Sequence, residues 1–190
     1  FYITGGGGFG ADEYNMSTAW DVSTASHVQF DDLSLKDFSP GGIFFKTDGT
    51  KMYRVGSTSD YVHQYSLTTA EDISSNSFTQ SFSVASQETS SQGVFFKPDG
   101  TKMYVVGIAS DNVNEYSLST AWDISSASYV QNFSVSTQDS VPSDVFFNPD
   151  GDKMYVSGTS SDKVYEYDLT TAFNVSTASY STISFSVASQ

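Results

Sequence analysis

The chain has 190 residues, enough for one domain with a real core, and its 8 basic and 22 acidic side chains leave a net charge of −14. That balance argues against nucleic acid and anionic membrane surfaces as partners, since both need clustered Lys and Arg. The absence of Cys excludes disulfides and thiolate chemistry, and no apolar run is long enough to insert into a membrane.

The chain begins at Phe1, not Met, and shows no signal peptide, as a processed or incomplete chain would. Phe1-Tyr-Ile-Thr4 matches the second strand of a repeat that becomes clear further along. A glycine run, Gly5-Gly-Gly-Gly-Phe-Gly10, follows where later copies carry a Gly-x-x-Ser-Asp turn. Tyr14 then opens a series, Tyr14, Tyr65, Tyr116 and Tyr167, spaced by 51 residues, and Met52, Met103 and Met154 keep the same spacing. Ser17 to Ser26 returns as Ser119 to Ser128, and in weaker form as Thr68 to Ser77 and Thr170 to Ser179.

Each full repeat holds four short runs. Run A, as in Val94-Phe-Phe-Lys97, closes on a Pro98-Asp99-Gly100 turn signal. Run B, Lys102 to Gly107, is apolar at consecutive positions, as in a strand covered on both faces. Run C sets Tyr165, Tyr167 and Leu169 against Val164, Glu166 and Asp168. Run D sets Tyr129, Gln131, Phe133 and Val135 against Val130, Asn132 and Ser134. Period-2 alternation marks strands with one wetter face.

Two inner, doubly covered strands followed by two half-exposed ones is the burial gradient of a propeller blade. The expectation is an all-β chain, a β-propeller-type array of four-stranded antiparallel blades in a single domain. Its blades are 1–39 (partial), 40–90, 91–141 and 142–190. One blade cannot cover both faces of its own sheet, so neighbours must supply the cover. The spacing slips by one residue at Phe185, which corresponds to Phe133, so a bulge is expected near Ser181 to Ile183.

The first repeat lacks run A. Three readings follow: a window of a longer ring, a four-blade unit with an incomplete first blade, or completion by a neighbouring subunit pairing along Phe1, Tyr2, Ile3 and Thr4. Self-association or continuation of a longer repeat chain is the partner expectation.

The stretch Phe96-Lys-Pro-Asp-Gly-Thr-Lys-Met-Tyr-Val-Val-Gly107 resembles the repeats of the broad NHL, WD40-like and YVTN propeller group. With Val164 to Ala172 and Trp122-Asp-Ile-Ser125, the chain is similar to repeat proteins predicted in phage and environmental bacterial genomes. The resemblance implies a fold and leaves function open, because propellers host lyases, hydrolases, adhesins and scaffolds alike.

Candidate chemistry is sparse. His27 and His63 fall at positions that other repeats fill with Phe78, Tyr129 and Tyr180, or with Asp12, Asn114 and Tyr165, so each reads as a tolerated strand residue. Asp48, Asp99 and Asp150 recur with the Asp-Gly turn, and Asp60, Asp111 and Asp162 with the B–C turn. Asp21, Asp72, Asp123 and Asn174 suggest capping of the backbone. No dense acidic run supports Ca²⁺, the one ion the charge would favour, so no metal, cofactor or catalytic residue is expected. Gly5 to Gly8 reads as a flexible turn, and Trp20 and Trp122 as rim packing or stacking groups. Asn15, Asn132 and Asn174 head N-x-S/T sequons and are glycosylation candidates.

Ser and Thr fill 53 positions and charged residues only 16%, a balance typical of secreted, cell-surface or virion proteins. The leading expectation is a non-enzymatic extracellular structural or adhesion module, acidic and self-assembling, in a surface or virion fibre. A propeller binding a glycan or peptide, and a partial chain of a propeller enzyme, are the alternatives.

Overall fold

The computed structural model describes residues 1–4, 10–32 and 36–188, and the glycine-run connection falls outside them. Among the described residues, fifteen strands form four antiparallel sheets, each strand beside its sequence neighbour. The first sheet holds β1 (Tyr2–Thr4), β2 (Gly10–Met16) and β3 (Ala25–Asp32). The second holds β4 (Pro40–Phe45), β5 (Lys51–Gly56), β6 (Tyr61–Leu67) and β7 (Asn76–Ser83). The third holds β8 (Ser91–Phe96), β9 (Lys102–Gly107), β10 (Asn112–Leu118) and β11 (Ala127–Ser134). The fourth holds β12 (Pro142–Phe147), β13 (Lys153–Gly158), β14 (Lys163–Leu169) and β15 (Ala178–Ser186).

Strands β4, β8 and β12 pack beside one another, so the sheets radiate as the blades of a four-blade β-propeller whose first blade has three strands. The second strands of blades two and three are the most deeply covered. Met52, Tyr53, Val55, Met103, Tyr104, Val105 and Val106 are all buried, because neighbouring blades cover both faces. The outermost strands alternate over their second half, as in β11, where Gln131 and Phe133 are half-buried and Asn132 and Ser134 exposed.

The core lies between blades. Tyr53, Phe96 and Trp122 stack in one interface, and Tyr104, Phe147 and Phe173 in the next. The C–D turns place Trp20, Glu71, Trp122 and Phe173 in the left-handed region. The latter three lie over the A–B turns, and a Cβ at Gly100 (φ +74) would fall 2.4 Å from the Trp122 ring. The one-residue slip is visible as a bulge in β14–β15, where the pairing runs from Tyr165↔Ser184 to Tyr167↔Tyr180 and Thr182 turns left-handed. Among the described residues, no helix is long and apolar enough to cross a membrane.

Candidate functional site

At one end of blades two, three and four the connection from the preceding outer strand supplies a buried acid: Asp37, Glu88 and Asp139, spaced by 51 residues. Asp37 accepts from Ser39 N, Thr58 Oγ1, Ser59 N and Ser59 Oγ. Glu88 takes Ser90 N, Ala109 N, Ser110 N and Ser110 Oγ, and Asp139 takes the equivalent groups around Ser160 and Ser161. Burial works against the charged form of Asp37 and Asp139, yet these hydroxyl and amide donors hold both below the usual carboxylate range. The strand-ending glycines make room for the acids, since a Cβ at Gly56 would fall 2.3 Å from Asp37 Cγ. These carboxylates fasten the loops of the propeller mouth.

A second repeated set joins one blade to the next. Gln80 Nε2 donates to Gln64 Oε1 (3.0 Å) in its own blade and to Asp123 Oδ1 (2.6 Å) in the following one, while Ile124 N donates to Gln64 Oε1. Gln29, Glu13, Asp72 and Ile73 N repeat this one blade earlier, and Gln131, Glu115, Asn174 and Val175 N one blade later. Tyr53 and Tyr104 hydroxyls donate to the Trp122 and Phe173 carbonyls of the following blade, and Tyr2 does the same to Glu71.

Against this regular background two polar side chains, Arg54 and Asp144, replace residues that are apolar or glycine in the other full blades, and His63 stands in a variable column beside Arg54. Arg54, wholly buried, stands where blades three and four carry Val105 and Val156. Burial pulls its pKa down, against the opposing influence of Tyr65, Asp37 and Asp31. His63, across the ladder from Arg54, meets Ser59 Oγ at 3.2 Å, and burial pushes its pKa down to about 4. Ser59 Oγ donates to Asp37, so the serine is held as a link between acid and imidazole. It is not activated as a nucleophile, which would need histidine in the middle.

The second departure is Asp144, on the innermost strand of blade four, where the repeat has Gly42 and Gly93. It pairs with Ser157 just past the bulge that follows Pro142, with Oδ1 accepting from Val145 N at 2.9 Å. Gly93 leaves space for it, since a Cβ there would fall 2.5 Å from Asp144 Oδ1. The residue is solvent-accessible, but the chain crowds its carboxylate on the Gly93 side, and that desolvation pushes its pKa up to about 6. It lines a small pocket of about 100 Å³ with Tyr155, Ser157, Phe146 and Val164.

The residues singled out from sequence are dispersed. His27 is an exposed outer-strand residue 2.9 Å from Asp12. Asp21, Asp72, Asp123 and Asn174 cap short 3₁₀ turns, as expected, and Asp48 and Asp99 close Asx turns on Thr50 and Thr101. Asp60, Asp111 and Asp162 adopt left-handed turn conformations. Asn15 and Asn132 are exposed, whereas Asn174 is half-buried between blades with its oxygen engaged by Ser176 and Gln131. Tyr2, Ile3 and Thr4 form the edge strand of blade one, and Phe1 stacks on Tyr14. Asp144, Arg54 and the mouth acids Asp37, Glu88 and Asp139 escaped sequence reasoning. The signal was present as an isolated polar substitution, or a recurring acid, within a repeat column.

The resemblance to propeller repeats is met by the fold, while no protein-family model matches the sequence to support the narrower NHL, WD40-like or YVTN grouping, and no curated protein matches. Solved structures do. A protein of unknown function from Desulfotomaculum acetoxidans aligns at 13% identity and TM-score 0.58, over 97% of this chain and 55% of its own. A Bacteroides fragilis protein provisionally named a 6-phosphogluconolactonase aligns at 12% identity and TM-score 0.60, over 94% and 49%. The periplasmic gluconolactonase of Pseudomonas aeruginosa aligns at 17% identity and TM-score 0.58, over 88% and 46%. The likeness is one of fold. The chain spans about half the length of these neighbours.

These neighbours correct the expectation of a non-enzymatic structural or adhesion module, because propellers of this architecture are named as lactonases and nothing found supports an adhesive or fibre role. Within the repeat, Asp144 is a local polar departure, since the other full blades carry Gly42 and Gly93 there.

Proposed function

We propose that the chain is part of a propeller enzyme that hydrolyses the internal ester of a sugar acid, with Asp144 as general base. The observation that carries this reading is Asp144 itself, a carboxylate in a small pocket at a position where the other blades carry glycine. The lactonase names of two structural neighbours suggest the substrate class.

With a pKa of about 6, Asp144 is ionised at neutral pH yet basic enough to take a proton from water. The water oxygen adds to the lactone carbonyl carbon as its proton passes to the carboxylate. The tetrahedral oxyanion, facing the Tyr155 and Ser157 hydroxyls, collapses with cleavage of the ring C–O bond. The leaving alkoxide recovers the proton, giving the open hydroxy acid. The net charge of −14 favours a neutral lactone over a phosphorylated one.

The test is proton release from a panel of aldonolactones, corrected for spontaneous opening, by wild type and by Asp144→Gly, which restores the residue of the other blades. Loss of the base should slow hydrolysis about 100- to 10,000-fold. No acceleration with any lactone, or an unimpaired Asp144→Gly, would overturn the proposal.

A further inference from the structure

The interface between blades one and two differs in kind from the two that follow it. Four of its positions carry Asp31, Lys36, Arg54 and His63. The same columns hold Phe82, Gln87, Val105 and Asn114 in the next interface, and Phe133, Gln138, Val156 and Tyr165 in the last, all uncharged. In those two interfaces Phe82 and Phe133 meet Tyr116 and Tyr167 edge to face at 5.7 and 5.5 Å, and the tyrosine hydroxyls donate to Gln87 and Gln138. The first seam keeps the tyrosine, as Tyr65, but surrounds it with ionisable groups.

Arg54 and His63 are partners across the β5–β6 ladder, so they share a face. Met52 and Tyr65, two residues along on the same strands, pack on that face with Ala11 and Tyr2 of blade one. Asp31, on β3 of blade one, accepts from Asn76 Nδ2 of blade two and feels the Arg54 charge. The connection from blade one closes over His63, which is 4% exposed. In that connection Asp37 accepts from Ser59 Oγ, which lies 3.2 Å from His63 Nε2. Lys36 Nζ sits 3.6 Å over the Phe78 ring, itself edge-on to His63 at 6.2 Å. The charges acting on the imidazole are therefore Asp37, Arg54 and Lys36.

We propose that the seam between blades one and two is an acid-released joint: a proton on His63 sets a third cation beside Lys36 and Arg54 and opens this interface, while the other two stay closed. The imidazole must be neutral to stay buried there, and burial lowers its pKa from 6.5 to about 4 in the closed seam. Opening therefore takes up a proton and is favoured as pH falls below 6.5. Asp31 works the other way. Burial pushes its pKa up, so the closed seam protonates it at a higher pH than the open one and offsets part of the effect. Asp37 is held low by its hydroxyl and amide donors and stays ionised. None of these residues lines the Asp144 pocket, so the joint stands independently of the proposed hydrolysis.

One backbone amide crosses each seam and reports on it: Ile73 N donates to Glu13, Ile124 N to Gln64 and Val175 N to Glu115. Their hydrogen exchange, followed by NMR on the 190-residue chain at pH 7 and pH 5 and corrected for the intrinsic rate, tests the joint. The His63 shift alone gives about 20-fold more opening at pH 5. The Asp31 offset makes that a ceiling, and a several-fold acceleration at Ile73 is expected. Ile124 and Val175 should not accelerate, and Val175, which also donates to a glutamate, controls for protonation of the acceptor. His63→Asn, the residue of blade three, should abolish the acceleration at Ile73. Independently of that variant, the wild-type His63 ring protons should keep their neutral chemical shift down to pH 5 in the closed form. No acceleration at Ile73, an equal acceleration at all three amides, an acceleration retained in His63→Asn, or a His63 ring already protonated at pH 6 would overturn the proposal.

Discussion

Removing the Glu115 carboxylate tests the account of how blades are joined. Glu115 is 1% exposed; Oε1 accepts from Lys102 Nζ at 2.6 Å, and Oε2 from Gln131 Nε2 at 2.8 Å and Val175 N at 3.0 Å. Glu115→Ala strands three donors, one of them cationic, in the interface between blades three and four. Breaking a buried ion pair costs about 3–5 kcal/mol. Lys102 keeps some solvent access and its bond to Phe173 O, so the lower end, about 3 kcal/mol, is expected. Glu115→Gln keeps an acceptor for Val175 N, as Gln64 does for Ile124 N one blade earlier, and should cost about 1 kcal/mol. Urea titration followed by far-UV circular dichroism measures both. Because blade stability is a sum of nearest-neighbour terms, Glu115→Ala should also split or broaden the transition as blade four detaches early. A loss under about 1 kcal/mol, or equal losses for both variants, would refute the reasoning.

Phe96 is wholly buried against Tyr53 and Trp122, and Phe96→Ala should cost about 3–5 kcal/mol in the same titration. Gly100→Ala combines a positive φ with a Cβ 2.4 Å from the Trp122 ring, so a loss of about 3 kcal/mol and a displaced Trp122 emission are expected. His63 has its pKa lowered to about 4, so between pH 6.5 and 4 the unfolded chain binds a proton that the native chain does not. Stability therefore falls on acidification through that window. His63→Asn, the residue of blade three, should remove about 3 kcal/mol of that pH dependence, measured as the difference between the two stability–pH curves.

The fold was legible because a period of 51 residues reports itself. Strands β4, β8 and β12 begin at residues 40, 91 and 142, where the repeat boundaries fall, and the extra residue became the bulge at Thr182. Turn and capping chemistry was legible too, since Asp72 or Asp99 finds its partner two residues away. The joints between blades were not, because their partners lie 43, 60 or 69 residues apart, as for Gln80 with Asp123, Gln64 with Ile124 and Tyr53 with Trp122. A repeat shows which residues are equivalent, but says nothing of which faces meet. Asp144 was hidden differently: it is a single change in one column, and only its place on the innermost strand, crowded and beside a pocket, distinguishes it from ordinary surface drift.

The pH dependence of lactone hydrolysis tests the central claim most directly. As the proposed base Asp144 would act when ionised, and desolvation has raised its pKa from 3.8 to about 6. kcat/KM should therefore climb about tenfold per pH unit below 6 and level off above it. Asp144→Gly should remain near the spontaneous rate throughout. A wild-type profile flat between pH 5 and 7, or an Asp144→Gly enzyme tracing the wild-type curve, would contradict the account.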